Sequence, residues 1–435
     1  MILLIVSIYL FYGLNDLYFD IYYSRINNVW GRIIISFAVV LLSFKLLFFT
    51  YLLGLFWRYK PQESVINELL PHCSVIVPAY NESSFVWQTL ISIANSNYPT
   101  EKLEMIAIDD GSIDDTWSWM EKAKDQLGNR LTILQQPQNL GKRQALYRGF
   151  NNASGKIFIT IDSDSIVQKN TLRNLVSPFV RNKNCGAVAG NVKIFNRKKA
   201  FIPKMLNVSF AYSFEFVRAA QSVLECVLCT PGALAAYRKD AVMACLPNWI
   251  NQRFFGKLTD IGEDRALTNM ILKQGYSVLF QKNAKVFTNV PENYEGLHKM
   301  FTRWERSNVR ENVMMSRFAF GKFRKSSTSG PRLLLINQWI KIVFAIPFIL
   351  FMIVFIALNP LLYFTSKLIG ILIFSSIPAL YYALNHGRLE SIWAFTYGIF
   401  YAFCLFWITP YAIATANKRG WLTRGLSKKT EIPAI

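Results

Sequence analysis

Charge is scarce in this sequence: 17% of its 435 residues are charged, against 52% hydrophobic and 15% aromatic. That balance excludes a disordered chain and points to a membrane protein with a soluble part. Histidine is scarcer still, at three, and the six cysteines at 73, 185, 226, 229, 245 and 404 follow no regular spacing. A thiolate-imidazole zinc site therefore has no basis, and a reduced, cytosolic compartment fits. Acidic residues number 27 against 48 basic ones, for a net charge of +21. Such an excess suits anionic headgroups, nucleic acid or a phosphorylated substrate, and composition does not choose among them. The N-terminus also lacks a basic leader and a small-residue cleavage site, so residues 2–14 read as the start of an imperfect span through about residue 23.

Long apolar runs are present, and they bracket a polar middle. Residues 32–57 are long enough to cross the roughly 30 Å hydrocarbon layer. Runs at 333–358, 361–384 and 392–416 follow the middle, and a basic tail, KRGWLTRGLSKK, closes the chain. The positive-inside tendency places both the tail and the basic middle in the cytoplasm. Three full spans between them would put the tail outside, so either one of the three is interfacial or re-entrant or the tail is not cytoplasmic.

From about 71 to 326 charges are dispersed and no run can span. Short β-rich runs, CSVIVPAY (73–80), EMIAIDD (104–110), KIFITID (156–162) and GAVAGNVKI (186–194), alternate with helix-patterned stretches. The alternation predicts βαβ units and a mostly parallel sheet. Ligands of such sheets bind beyond the carboxyl ends of the strands. Acids sit there: Asp109 and Asp110 close one strand, and Asp162 and Asp164 another.

Two carboxylates spaced i and i+2 at a strand end can hold one hard divalent ion and leave positions for phosphate oxygens; alone, the same spacing describes a solvated turn. Asn139-Leu-Gly-Lys142-Arg143 lies between the two acidic tips. Lys142 and Arg143 can pair with phosphates, or the loop is a surface turn. In Thr259-Asp-Ile-Gly-Glu263-Asp264-Arg265 three acids crowd a helix start, more than capping requires, and one of them can serve as general base toward a hydroxyl. Farther on, in HKMFTRWERSNVRE (298–311), Leu297, Met300, Phe301 and Trp304 share one helical face, while Arg303, Arg306 and Arg310 run along another. This reads as a membrane-surface amphipathic helix, with Arg303 in reach of a diphosphate and Trp304 offering its ring to a sugar.

Taken in order, SVIVPAYNE (74–82), IDDGSIDDT (108–116), NLGKRQAL (139–146), DSD (162–164), CTPGALAAYR (229–238), GEDRALTN (262–269), RWERSNVRE (303–311) and WLTRG (421–425) resemble the processive, membrane-embedded inverting transferases of glycosyltransferase family 2. Within that group the chain looks most like hyaluronan synthases and their bacterial relatives. The resemblance implies a cytosolic α/β domain of GT-A type that binds a nucleotide sugar, with a mostly parallel central sheet flanked by transmembrane and interfacial helices. It implies a donor site at Pro78, Tyr80, Glu82, Asp109 and Asp110, with Lys142 and Arg143 near the nucleotide of a UDP-sugar. Asp162 and Asp164 would flank Mn2+ or Mg2+, Asp164 more directly. Asp264, with Glu263 and Arg265 beside it, would take the proton from the acceptor hydroxyl. Gly232 would lie under the acceptor sugar, Arg303 and Trp304 beside it, and Trp421, Thr423 and Arg424 would gate the nucleotide.

Two positions depart from the family pattern: Met300 stands where the family has Gln before Arg-Trp, and Leu422 where hyaluronan synthases usually have Gly. The expected layout is N-terminal spans (1–60), a cytosolic transferase domain (71–292), amphipathic interfacial helices (293–330), C-terminal spans (331–418) and a cytosolic tail (419–435). The expected partners are a UDP-sugar, a growing polysaccharide and membrane lipids, without nucleic acid, at the plasma (inner) membrane. A non-processive transferase acting on a lipid carrier, or a synthase of chitin, poly-N-acetylglucosamine or a uronate polymer, is the alternative. A transporter or scaffold with a decayed transferase domain predicts eroded acids, and here they are intact.

Overall fold

The computed structural model describes residues 27–418, together with Gly13, Phe19, Asp20 and Tyr23. Apart from those four positions, the expected first span lies outside the described residues, as does the expected cytosolic tail.

The runs read as strands form β1 (Cys73–Ala79), β2 (Leu103–Asp109), β4 (Ile157–Thr160) and β6 (Cys185–Ile194). Four further strands complete the sheet: β3 (Leu131–Gln135), β5 (Ser165–Val167), β7 (Ala235–Arg238) and β10 (Ser277–Thr288). The order is β3-β2-β1-β4-β7-β6-β10-β5. β3, β2, β1 and β4 run parallel, as do β6 and β10. The short β7 is antiparallel to both neighbours and β5 is antiparallel to β10, so the sheet is mixed and mostly parallel. A small hairpin, β8 (Arg253–Phe254) and β9 (Lys257–Leu258), stands apart.

Both faces of the sheet are covered, which is why its strands read as continuous apolar runs rather than alternating ones. Val75, Val77, Met105 and Ala107 point to one side, where they pack with α2 (Ser84–Ala94), α3 (Thr116–Leu127) and α5 (Thr171–Arg181). Their neighbours Ile76, Ile106 and Ile108 point to the other, against α4 (Lys142–Asn152), α8 (Lys239–Ile250) and α9 (Glu263–Lys273). The period-2 geometry of a strand divides one apolar run between two cores.

Around this domain lie the apolar helices. α1 (Val29–Arg58) and α13 (Pro360–Asn385) are each long and apolar enough to cross a membrane. The other two candidates are bent pairs: α11 (Ser329–Val343) with α12 (Ala345–Leu358), at 41°, and residues 389–404, which include α14 (Trp393–Cys404), with α15 (Ile408–Ala414), at 47°. The described residues thus hold two candidate spans, or four if each bent pair is one span. Two breaks fall where the sequence read unbroken spans, and each bent pair has the shape of either a broken span or a re-entrant loop. α6 (Phe201–Phe210) leads into residues Ala211–Val217, where the helix widens to π geometry, and then into α7 (Arg218–Val223).

The expected interfacial helix differs most from its reading. α10 (Tyr294–Ala319) is not a surface helix: Leu297, Met300, Thr302, Arg306, Arg310, Glu311 and Asn312 are all buried. Of its polar stripe, Arg306 and Arg310 meet protein groups, because the domain and the C-terminal helices close over both of its sides.

Candidate active site

A cavity of about 690 Å3 opens at the carboxyl ends of β1, β2 and β4. Pro78 and Tyr80 from the end of β1, and Asp110 just past β2, line one part of it. Asp109, its neighbour in sequence, does not line it. Asp109 is fully buried and accepts hydrogen bonds from Ser112 N at 3.0 Å and Gln135 Nε2 at 3.1 Å. It shapes the turn, while Asp110 faces the cavity. Asp110 accepts from Leu140 N and Gly141 N, both at 2.9 Å, and from Gln136 Nε2 at 2.6 Å. Burial pushes its pKa up to about 7 despite those donors, with a small further push from Asp109. Glu82 is half-buried outside the cavity wall.

Lys142 and Arg143 part ways in the same manner. Lys142, at the first turn of α4, reaches across to Asp162 and stands 3.3 Å from Glu263. Arg143 turns the other way, is buried, and donates to Trp249 O at 2.9 Å, Gln252 Oε1 at 3.1 Å and Thr259 Oγ1 at 3.0 Å. The expectation that it approaches the nucleotide is therefore corrected: consecutive residues of a helix point about 100° apart, and here the second braces the loop before α9.

Asp162 and Asp164 both line the cavity just past β4. Asp164 Oδ1 accepts Thr288 Oγ1 and Ser165 Oγ, each at 3.3 Å. The donor set is hard oxygen, which suits Mn2+ or Mg2+. Among the described residues no cluster of three or more His, Cys, Asp or Glu side chains could enclose a metal by itself. The pair thus fits an ion that keeps much of its coordination shell for phosphate oxygens and water.

Opposite stands the turn Gly262-Glu263-Asp264 at the start of α9. Gly262 has φ +73°, and a Cβ there would lie 2.0 Å from Ser307 Oγ of α10. Only glycine allows both the left-handed turn and that close approach. Asp264 receives Arg265 N at 2.7 Å and the Cys229 thiol at 3.6 Å. Burial first, and then the neighbouring Glu263, raises its pKa, while Lys142 and Arg303 pull it down. Arg265 lines the cavity too, but its guanidinium is committed to α10, with Asn308 and with Asn312 Oδ1 at 2.7 Å as acceptors.

α10 is clamped to this turn. Arg310 donates to Ile261 O at 2.6 Å, and Glu311 accepts from Gln252 Nε2 and Asn269 Nδ2, both at 2.9 Å. Arg306 Nε donates to Thr415 Oγ1 at 2.9 Å. Arg303 and Trp304 line the cavity with Met300 and Phe301, as do Glu305, Ser307 and Asn308 of the same motif. Phe301 meets the Trp304 ring edge-on at 5.6 Å, and Phe210 lies tilted 6.0 Å away. Gly232 faces Lys142 and Asp162, so a Cβ there would fall 2.5 Å from Lys142 Nζ. Trp421, Thr423 and Arg424 lie outside the described residues.

Several lining residues have no signal in the sequence. Phe214 comes from the π segment and Arg218 from α7. Lys341, Tyr397, Tyr401, Ile408 and Thr409 come from the apolar C-terminal helices. Lys341 pairs with Glu305 of α10 at 2.8 Å.

Residues 74–246 match the family described as Glycosyl transferase family 2. The chain is 32% identical to an N-acetylglucosaminyltransferase of Rhizobium meliloti over 58% of this chain and 59% of that protein. It is 30% identical to an N-acetylglucosaminyltransferase of Azorhizobium caulinodans, over 59% and 64% respectively. It thus spans about three fifths of the length of these two relatives. Similarity to hyaluronan synthase of Streptococcus pyogenes is lower, at 26%, but covers 91% of this chain and 90% of that one. Among solved structures, a mannosyltransferase from Pyrobaculum calidifontis in complex with GDP-Man and Mn2+ superposes with a TM-score of 0.57 at 22% identity, covering 82% of this chain and 97% of that one. That likeness establishes a GT-A-like fold.

Proposed function

We infer that this chain, a member of glycosyl transferase family 2 through residues 74–246, elongates a β-linked polysaccharide from UDP-sugar donors and passes the product toward its own membrane helices. The observation that carries this reading is the lining of one continuous cavity. It joins Asp110 and Asp162 at the strand ends and Asp264 at the start of α9 to Trp304, and Trp304 to Tyr397, Tyr401 and Thr409 of the C-terminal helices. A transferase that only charges a lipid carrier would need the strand-end acids and not an aromatic path leading away from them.

In this reading Asp110, Pro78 and Tyr80 hold the nucleoside, and Lys142 and Arg303 hold the diphosphate. Asp162 and Asp164 would hold Mn2+ or Mg2+, which supplies charge neutralisation to the leaving UDP. Asp264 accepts the proton of the acceptor hydroxyl. The oxygen then attacks C1 from the face opposite UDP, the C1–O(acceptor) bond forms, and the C1–O(UDP) bond breaks with its electron pair on UDP. An α-linked donor so yields a β-linkage. A base whose pKa is raised toward the working pH fits that task. Trp304 gives the acceptor sugar an apolar ring face to stack on. The catalytic domain works on the cytoplasmic side of the plasma (inner) membrane, where UDP-sugars are made.

The test is a donor panel. Membranes carrying the protein receive labelled UDP-N-acetylglucosamine, UDP-glucuronate, UDP-glucose or GDP-mannose, with Mn2+ or Mg2+. Glycosidase-sensitive polymer is expected. Label that extracts into organic solvent with no polymer would establish the lipid-carrier reading in its place.

A further inference from the structure

A second cavity, of about 550 Å3, lies where β6, β10 and α6 meet the loop after α13. Val192 and Phe210 line both cavities, so a thin wall separates this one from the first. Its chemistry is cationic. Lys193, Arg197, Lys285 and Arg388 line it, and Lys282 stands 4.0 Å from the buried carboxylate of Glu215 just behind it. Glu215 also pairs with Lys193, lies 3.0 Å from His386 Nε2 and accepts the Tyr381 hydroxyl at 3.1 Å. Glu390, the carboxylate that lines the cavity, accepts the Tyr382 hydroxyl at 2.6 Å. Four cationic side chains thus line the cavity beside one carboxylate, Glu390, with Lys282 and Glu215 behind them, and both carboxylates are already engaged.

A basic face that is merely solvated keeps its lysines fully charged; this cluster does not. Burial, followed by repulsion from Lys285, Lys282 and Arg197, brings Lys193 down to about 7. Burial and the same neighbours, with Lys193, bring His386 down to about 4. Burial is the larger cause in both, and the crowding of like charges around them adds to it. Glu215 itself belongs to the π-helical segment Ala211–Val217, a geometry that occurs frequently at functional sites. Beside the cavity the surface changes character. Leu380, Leu384 and Leu389 are 62%, 76% and 92% exposed at and just past the end of the apolar helix α13. A cationic cup next to an apolar belt matches a molecule with an anionic head and hydrocarbon chains.

We propose that this cavity binds a phosphate group through Lys193, Arg197, Lys285 and Arg388, and that the apolar rim favours the headgroup of an anionic lipid over free phosphate as its source. Arginine can grip such a group through two parallel hydrogen bonds, while the lysines contribute point charge. The proposal does not depend on the transferase reading, since none of these residues lines the first cavity.

The experiment uses the full chain in phosphatidylcholine vesicles, with or without a fraction of phosphatidylglycerol, and follows its thermal unfolding. A second arm titrates inorganic phosphate into the phosphatidylcholine sample. Both are repeated on R197Q/K285Q/R388Q, which leaves the Lys193–Glu215 pair in place, and on R388Q alone in case the triple variant fails to fold. The wild type is expected to be stabilised by phosphatidylglycerol, with affinity at least about tenfold weaker in the triple variant, each surface cation contributing several-fold. A shift with inorganic phosphate that the variants weaken would instead name soluble phosphate as the source. Equal responses of wild type and variants, or no response of the wild type in either arm, overturn the proposal. A UDP-induced shift retained by the variants shows that they are folded and separates failure here from failure of the transferase reading.

Discussion

At the scale of single residues, neighbours in sequence take opposite parts. Asp109 braces a turn while Asp110 faces the cavity; Arg143 braces a loop while Lys142 reaches Asp162. Asp264→Asn is expected to lower transfer by about 10²–10⁴-fold and leave UDP binding nearly intact, as read by turnover and by nucleotide titration of the same preparation. Full activity of that variant would remove the base assignment. Trp304→Ala should shorten the polymer more than it slows UDP-sugar hydrolysis; equal losses would count against a stacking platform. The raised pKa of Asp110 has a signed consequence. The native state holds this proton up to about 7, whereas an unfolded aspartate releases it near its model value of 3.8. Its contribution to stability is therefore fully present below that unfolded value and declines as pH rises toward 7. Melting temperatures of wild type and Asp110→Asn, compared from pH 4 to 7, should diverge along that slope.

At the scale of elements, α10 is the strut on which the site depends. Gly262 touches Ser307, Arg310 holds Ile261 O, and Glu311 ties Gln252 to Asn269. Gly262→Ala places a Cβ where Ser307 Oγ already is and strains a positive φ. We expect it to shift Asp264 and reduce turnover at least tenfold (~1.4 kcal/mol of barrier), with a melting temperature close to that of wild type only if α10 can retreat. Glu311→Ala strands buried polar partners, Arg310 among them, and should cost about 3–5 kcal/mol of stability, visible as a lower melting temperature. These ties explain what the sequence could and could not convey about this helix. Its 3.6-residue stripe of arginines was legible, and so was the prominence of Arg303 and Trp304. That Arg306 and Arg310 meet Thr415 and a backbone carbonyl was not, because a charged stripe looks the same whether water, headgroups or buried acceptors face it. The strands divide likewise. β1, β2, β4 and β6 announce themselves as apolar runs. The short β7, AAYR, and the polar interruption of β10 at QKNA do not, since each is held by its neighbours more than by its own pattern.

At the scale of the whole molecule, the basic excess and the apolar helices act together. α1 and α13 are each long and apolar enough to cross a membrane, so hydrocarbon burial and not charge is expected to hold the chain in the bilayer. Washing membranes with high salt or alkaline carbonate should leave the protein in the pellet; release by salt alone would mean that it is only adsorbed. By itself the sequence determined the alternation of β1, β2, β4 and β6 with helices, the carboxyl-end placement of the acids and the presence of membrane-length apolar segments, because these follow from local periodicity and composition. Tertiary structure decided which of two adjacent charges faces the cavity, that α10 is enclosed, that two apolar segments bend, and that Lys193, Arg197, Lys285 and Arg388 converge on a second cavity. Each of those depends on what lies across from a side chain, and residues nearly two hundred positions apart in the chain, such as Lys193 and Arg388, become neighbours only when the sheet and the membrane helices pack together.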